Sequence, residues 1–448
     1  MLKSVRIKSL FNRYNYQFDF SKDSITIIAG PNGFGKTTVL NAIRDVLDDG
    51  LYHLSSIIFE EFELTTDDGK NLMFVKNNDG FFVNGQRLYV PESITYDGRS
   101  ATIFTIKVKD INDLRVKYKK FFGPQQVLTV SKLQCDDIDG YTIDNLLRVN
   151  YQLLGEEIRP SIRQLLDFYS SVGNSIYCSA DRLYHDYEIN DGSDLRVKEY
   201  KEVIKNLPSK LNSVFALYNN EYARLSSNLD FTFVSRLSDE IKKNTEDNED
   251  YTEKDFNADM AVINKRLDKL VGYGFLYREK MYNKKLTFNK DYKYVFKIFA
   301  NNYIKKLDSL EFLTNKLDLF LKIVNSKLNN KHLIIKNGSA GFDTIIVMDG
   351  DHDIPLDALS SGEKEIIVMY YKLIFDSTRQ MIALVDEPEL STHVAWQYEA
   401  IDDFEQIMKV NSALKQMIIC THSPQIIGEH WDKTIDLFEI ANSNSEND

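Results

Sequence analysis

The chain has 448 residues, is 43% hydrophobic and 12% aromatic, and carries a formal net charge of −12. That length suits two to three structural units, and the apolar content can fill a sizeable core, which excludes a wholly disordered chain. The acidic balance excludes general polyanion binding, so any nucleic-acid contact has to be a local basic patch.

In chain order, VRIKSL and YQFDF alternate apolar and polar residues and predict strands, followed by the short apolar strand SITIIAG. A helix is predicted from Lys36, with Val39, Leu40, Ile43 and Leu47 on one face. Further strand-like runs continue to about residue 110. Asp68-Gly69, Asp79-Gly80 and Asn84-Gly85 separate several of them and favour tight hairpins. A helix is expected through IDNLLRVNYQLLGEEI, then a buried strand in SIYCSA at 175–180.

From about 194 to 330 the apolar residues recur at helical spacing, as in Val295, Phe299, Leu310, Leu313, Leu317, Phe320 and Val324. The acidic run at 244–255 reads as a solvated loop or helix tip, or as a binding tail. Strands return in KHLIIKN and FDTIIVM. A helix from Gly362 to about Phe375, the strand MIALV, the amphipathic VAWQYEAIDDFEQIM and the strand QMIIC follow, and NSNSEND is expected to be disordered. The expected division is an N-terminal lobe at 1–190, a helical insertion at 191–330 and a C-terminal lobe at 331–448.

The three cysteines, Cys135, Cys178 and Cys420, are far apart with no CxxC pair, so reduced thiols are expected. The first residues lack the apolar core of a secretory signal, and no stretch approaches the ~18 apolar residues of a membrane span. A cytoplasmic chain without membrane contact is the expectation. The basic stretches at 116–120 and 282–297 interleave Lys with aromatics, which suits a nucleic-acid face or a solvated one.

GPNGFGKT at 30–37 matches GxxxxGK[ST] in full, between an apolar strand and an amphipathic helix. Gly30, Gly33 and Gly35 let backbone wrap phosphates that side chains would exclude, and the helix N-terminus faces their charge. Lys36 is expected to reach the β- and γ-phosphates and Thr37 to offer a hydroxyl to Mg²⁺. Gly30, Pro31, Asn32, Gly33, Phe34, Gly35, Lys36, Thr37 and Thr38 are therefore the nucleotide-binding candidates of this loop, and ATP with Mg²⁺ the expected ligands. VDEP at 385–388 ends an apolar strand in two acids, the Walker B pattern. Asp386 is the candidate to hold Mg²⁺ through water and Glu387 the general base for the attacking water. LSSGEKE at 359–365 has two readings. It is an ordinary S-x-x-E helix cap, or a helix N-terminus that receives an anion.

LSSGEKE resembles the LSGGQ-like signature of ABC-type ATPases, with Ser361 in place of the first Gly and Glu363 in place of Gln. That resemblance adds Ser360, Ser361, Gly362 and Glu363 to the ATP-binding candidates, facing the γ-phosphate of an opposite subunit. ELSTH at 389–393 then stands where such proteins carry a D-loop. THSP at 421–424 makes His422 a switch histidine and a second catalytic candidate, while His393 fits a structural role equally well. The implied fold is α/β, an ABC-type P-loop NTPase head with an antiparallel β layer and a helical insertion. SSGEKE, VDEPELSTHVAWQ and THSP together look like RecF/SMC-related AAA ATPases and, more narrowly, the ATPase subunits of phage-defence systems such as PARIS and Septu.

Ala180-Asp181-Arg182-Leu183 stands where relatives carry Gln-Arg-Leu. Asp181 is thereby a candidate metal ligand beside Thr37 and Asp386, Arg182 a candidate phosphate contact, and a plain Asp-Arg ion pair is the alternative. The resemblance implies ATP hydrolysis at composite sites between two heads, hence a homodimer or higher homo-oligomer. It also implies a sensor or regulatory ATPase that controls a separate effector, a nuclease on a partner chain, with a phage trigger protein or nucleic acid as a further partner. A RecF/SMC-like repair ATPase, or an ATP-dependent assembly scaffold with little turnover, are the alternatives.

Overall fold

The computed structural model describes residues 1–47, 51–88, 95–96, 99–100, 104–106, 130–135, 138–143, 168, 174–189, 197–243, 251–276, 286–335, 345–376 and 381–445. The helix expected at IDNLLRVNYQLLGEEI and the basic stretch 116–120 lie outside the described residues. The chain folds into two compact units, Met1–Lys201 with Asp376–Asp448, and Glu202–Phe375.

Two sheets of the first unit, the largest among its described strands, position the site. One is antiparallel, in the order β2-β1-β4-β5-β6-β7. Its strands are β1 (Leu2–Leu10), β2 (Tyr14–Asp19), β4 (Glu61–Thr66), β5 (Asn71–Asn77), β6 (Gly80–Val83) and β7 (Gln86–Leu88). Burial alternates along them as the sequence does: Tyr14, Tyr16 and Phe18 of β2 point inward, and Phe62 and Leu64 of β4 do the same. β6 and β7 are joined by Asn84-Gly85 alone, with φ 45° and 78°. Positive φ at both positions is the requirement of the two-residue hairpin turn that this dipeptide favours.

The other sheet is parallel and runs, strand by strand, Asn174–Cys178, Met381–Asp386, Leu414–Thr421, β3 (Ile25–Ala29), Thr434–Asp436. Ile25–Ala29 and Met381–Asp386 are buried at every position, because a parallel sheet is covered on both faces. Helix α1 (Lys36–Leu47) buries Val39, Leu40 and Ile43 in the same core as Ile28, Ile382, Leu384 and Ile418. Register places Thr421 opposite Ala29 and Asp386 opposite Cys420. The carboxyl ends of three neighbouring strands therefore converge, the edge where open α/β sheets bind ligands.

The tail departs from expectation. Leu437–Ser445 is a helix, and only 446–448 fall outside the described residues. Its anchor is Leu437, fully buried in the core beside Gly30. Phe438, its ring 5.9 Å from that of Phe34, and Ile440 pack beside it, so the apolar residues ahead of the polar end carry the helix onto the core.

The second unit opens with helices Leu207–Phe231, Phe233–Lys243, Glu253–Gly272, Lys293–Asp308 and Glu311–Lys327. The acidic run ends in a capping box, where Thr252 and Asp255 satisfy each other's backbone amides at the start of the third helix. Arg266 bridges to Asp308 at 2.7 Å and to Glu311 at 3.2 Å, tying that helix to the following two. A small antiparallel sheet follows, His332–Ile335, Ile345–Asp349 and His352–Ile354. The unit closes with helix Ser361–Phe375, whose Tyr371 and Phe375 pack edge-on to Phe320. Residues 331–375 thus fold with the helical segment.

Candidate functional site

The P-loop leaves the end of β3 and enters α1. Gly33 and Gly35 have φ of 88° and 84°, the left-handed region that favours glycine. At Gly35 space is also short: a Cβ would stand 2.9 Å from Leu10 Cδ2 and 3.2 Å from Phe11 Cε2. Pro31, Asn32 and Gly33 are exposed, and Thr38 is half-buried. Phe34 stacks on Tyr14 at 5.4 Å between ring centroids, and its carbonyl accepts the Tyr16 hydroxyl at 2.8 Å. The loop is thus braced from β2 while its outer backbone stays open. The Lys36 ammonium is buried and donates to the loop's own Gly30 and Pro31 carbonyls at 2.8 and 3.1 Å.

Thr37 donates through Oγ1 to Asp386 Oδ1 at 3.2 Å, across 349 positions of sequence. Asp386 is 1% exposed, and burial, reinforced by Glu387 and Glu389, pushes its carboxyl up to about 6 although the Thr37 bond pulls the other way. A hydroxyl and a buried carboxylate side by side at a phosphate loop form the donor set that suits Mg²⁺, which takes one or two protein ligands and completes its shell with phosphate and water. Among the described residues, no group of three or more His, Cys, Asp or Glu side chains gathers as a metal cage. The residues present fit a metal shared with nucleotide phosphates.

Glu387 follows in a left-handed conformation, φ 44°, which a side-chain-bearing residue adopts at a cost of about 1–3 kcal/mol. Three backbone bonds hold it there. Its N–H donates to Cys420 O at 2.9 Å, and its carbonyl accepts Leu390 N–H at 3.1 Å and Arg182 Nη2 at 3.2 Å. Its Oε1 lies 3.6 Å from His422 Nδ1. His422 also has Glu389 Oε1 3.1 Å from the same nitrogen, and its side chain is 44% exposed.

Asp181, a candidate metal ligand from sequence, is exposed and makes no hydrogen bond to Thr37 or Asp386. The member of the Asp-Arg pair that turns inward is Arg182, 1% exposed. The alternatives were open in sequence because neighbours leaving a strand end point to opposite sides. His393 caps helix Val394–Val410, its Nδ1 accepting Ala395 N–H at 3.2 Å, and is exposed. Glu389 was missed. It lies in the segment read as a D-loop, and its contact to His422 joins two strand ends that no local pattern connects.

The signature-like residues belong to the second unit. Ser360 and Ser361 are exposed, Gly362 is half-buried and Glu363 is buried. Ser360 Oγ and N–H both donate to Glu363 Oε2, at 2.8 and 2.9 Å, and Glu363 N–H returns to Ser360 Oγ at 3.4 Å. This is a complete capping box. Lys331 adds bonds of 2.9 and 3.1 Å to the same carboxylate. Burial works to raise the Glu363 carboxyl, but the Lys331 and Ser360 bonds prevail and hold it below its ordinary value.

No helix among the described residues is long and apolar enough to cross a membrane. No curated protein matches the chain. Among solved structures it is similar to the Smc head domain with an extended coiled coil bound to the C-terminal domain of ScpA, derived from Pyrococcus furiosus. Identity is 13% and the TM-score 0.40, over 97% of this chain and 92% of that one. A SmcHead bound to the C-winged helix domain of ScpA is similar at 12% identity and a TM-score of 0.38, over 97% and 93%. The family model of the AAA ATPase domain, AAA_15, matches residues 1–427. With P-loop, Walker B acids and phosphate-loop geometry in place, the chain belongs to the AAA_15 family of AAA ATPase domains and is an ATPase of P-loop fold.

Proposed function

We propose that the chain hydrolyses Mg-ATP at composite sites made by two copies, head to head, and that opening and closing of the heads controls a separate effector protein. The observation that carries this reading is the split of the machinery. Lys36, Thr37, Asp386, Glu387 and His422 are assembled in one unit, while the signature-like helix N-terminus, with Ser360 and Ser361 exposed, belongs to the other. An exposed helix N-terminus suits the γ-phosphate of a nucleotide brought by another copy.

The residues take the following roles. The P-loop amides and Lys36 bind the phosphates, and Lys36 trades its two carbonyl partners for phosphate oxygens. Thr37 and Asp386 would hold Mg²⁺, which would neutralise phosphate charge. Glu387, clamped in its strained conformation, accepts a proton from the attacking water. His422 stands beside it on the open side, and Ser360 with the Gly362 amide closes the site in trans. ATP then bridges the heads, hydrolysis removes the bridge, and an effector held by one state is released in the other. The resemblance to phage-defence ATPases supports a sensor whose effector is a nuclease on a partner chain.

The test mixes two inactive variants, Lys36→Ala and Ser360→Arg. Each heterodimer regains one intact site, and part of the ATPase activity is expected to return. A disulfide-crosslinked heterodimer controls for sites that fire only together. If ATP-loaded Glu387→Gln protein stays monomeric at micromolar concentration, the trans arrangement is wrong. An adjacent nuclease gene, with toxicity that depends on both proteins, tests the effector role.

A further inference from the structure

Glu389 is an acid that the hydrolytic roles above leave unused, and its surroundings are unusual. The residue is 6% exposed. One oxygen, Oε1, accepts the Thr421 hydroxyl at 2.6 Å and the His422 backbone N–H at 2.9 Å, and lies 3.1 Å from His422 Nδ1. The other, Oε2, is buried and has no hydrogen-bond partner. A buried carboxylate with an idle oxygen is costly. Fixing the backbone at the strand end does not need it. A Gln would accept the same two hydrogen bonds through its carbonyl without burying a charge. What only the carboxylate supplies is a negative charge facing the imidazole.

We infer that Glu389 is a positioning residue for hydrolysis, fixing the ring orientation and proton placement of His422. The carboxylate is itself fixed by Thr421, at the end of the strand that carries His422, so donor and acceptor share one rigid mount. Nδ1 lies beside two carboxylate oxygens, Glu389 at 3.1 Å and Glu387 at 3.6 Å, an arrangement that favours a proton on that nitrogen. Nε2 is then the ring nitrogen left to the chemistry, on a side chain 44% exposed. A carboxylate behind a histidine fixes which nitrogen is presented to the chemistry. Ser423 strengthens the mount: its N–H donates to Thr421 Oγ1 at 2.9 Å, and its hydroxyl lies 2.8 Å from Gln397 Oε1. The inference rests on the reading of His422 as a residue of the hydrolytic centre.

The experiment is a double-mutant cycle on full-length protein with Glu389→Gln, His422→Ala and the pair, reading kcat, KM for ATP and Tm. Glu389→Gln is expected to lower kcat by about 10–100-fold, the usual effect of removing an orienting carboxylate, with KM within about twofold of the parent. In the His422→Ala background the same change is expected to cost nothing more. Equal losses in both backgrounds, or an unchanged kcat, overturn the inference. If His422→Ala itself turns over at the parental rate, the reading of His422 fails and this inference with it. If His422→Ala is impaired while Glu389→Gln is not, this inference alone fails. Should Glu389→Gln not fold, the parent protein still decides. Two-bond ¹H–¹⁵N spectra of ¹⁵N-histidine protein, with His422 assigned by its loss in His422→Ala, are expected to place a proton on Nδ1. A ring protonated on Nε2 alone overturns it.

Discussion

In the first unit, Glu387 sits at φ 44°, Glu389 leaves a buried oxygen without a partner, and Asp386 is buried beside two further acids. In the second, Ser360 and Glu363 satisfy one another, and Lys331 sits against the carboxylate they share. Both places are ends of regular elements. One stores strain and unbalanced charge. The other is locally complete. The difference fits the proposed roles: a centre proposed to receive Mg²⁺ and phosphates can hold like charges that the ligand would offset, whereas a cap proposed to meet its ligand on a second copy has to be stable alone.

The comparison breaks first at Lys36. Its ammonium is buried on two loop carbonyls, and Lys36→Ala removes the charge proposed to meet phosphate. Loss of measurable ATP binding is expected by titration calorimetry, at least a hundredfold in Kd at about 1.4 kcal/mol per tenfold. Near-parental affinity would mean that the loop amides alone bind the phosphates. Glu387→Gln comes next. The side chain keeps its shape and Asp386 is untouched, so ATP binding is expected to persist while kcat falls by about 10²–10⁴. An unchanged kcat would pass the role of base to another group, with His422 the nearest.

The legibility of the two regions differs for the same reason. Strand, Gly-rich loop and helix around Lys36 are contiguous in sequence, as are the apolar strand and acids at Asp386, so local pattern was sufficient. The S-x-x-E of Ser360–Glu363 was legible as a cap, which the hydrogen bonds bear out, while its second reading as a signature stays a proposal. What sequence did not yield is what joins distant segments. The parallel sheet inserts Met381–Asp386 and Leu414–Thr421 between Asn174–Cys178 and β3, an order that no spacing encodes. The same order brings Arg182 to the Glu387 carbonyl and Glu389 under His422. The helical spacing was readable from Leu207 onward, but not the strand Val197–Glu202, which stands at the start of the expected helical insertion. The small sheet that folds with the helices was placed in the C-terminal lobe, because its strands resemble those of any lobe.

Asp386 offers a sharper test of stored cost. Its folded carboxyl titrates at about 6 against an ordinary 3.8, so the folded state binds the proton more tightly than the unfolded one. The stabilising effect of that proton is fully present below about pH 3.8 and is lost as pH rises through 6. Above that the ionised form costs on the order of 3 kcal/mol, from two pKa units at about 1.4 kcal/mol each. Asp386→Asn removes the charge and keeps an acceptor for Thr37. Without nucleotide, its Tm is expected to exceed the parent's by several degrees at pH 8 and to match it near pH 4, while Mg-ATP binding is lost. An Asn variant less stable than the parent at pH 8 would show that the centre is not under electrostatic stress.

The smallest effect is expected at Glu363, where the opposite logic applies. Glu363→Gln keeps the capping box, since Gln serves at that position as well as Glu, and loses only the charge facing Lys331. The stability cost is roughly 1 kcal/mol, the upper end for an ion pair with a partly exposed partner. The sign of its pH dependence is the reverse of that at Asp386. The parental carboxyl is held below its ordinary value, so its contribution is present above about pH 4.5, the unperturbed value, and is lost as pH falls through the depressed one. The Tm difference between parent and variant is therefore expected to be full at pH 7 and to shrink in acid, whereas at Asp386 it opens as pH rises. ATP affinity of the isolated chain is expected to stay parental, because the carboxylate is already engaged by Ser360 and Lys331. A loss of affinity without a loss of Tm would place Glu363 on the nucleotide and remove the distinction between a stressed centre and a self-sufficient cap.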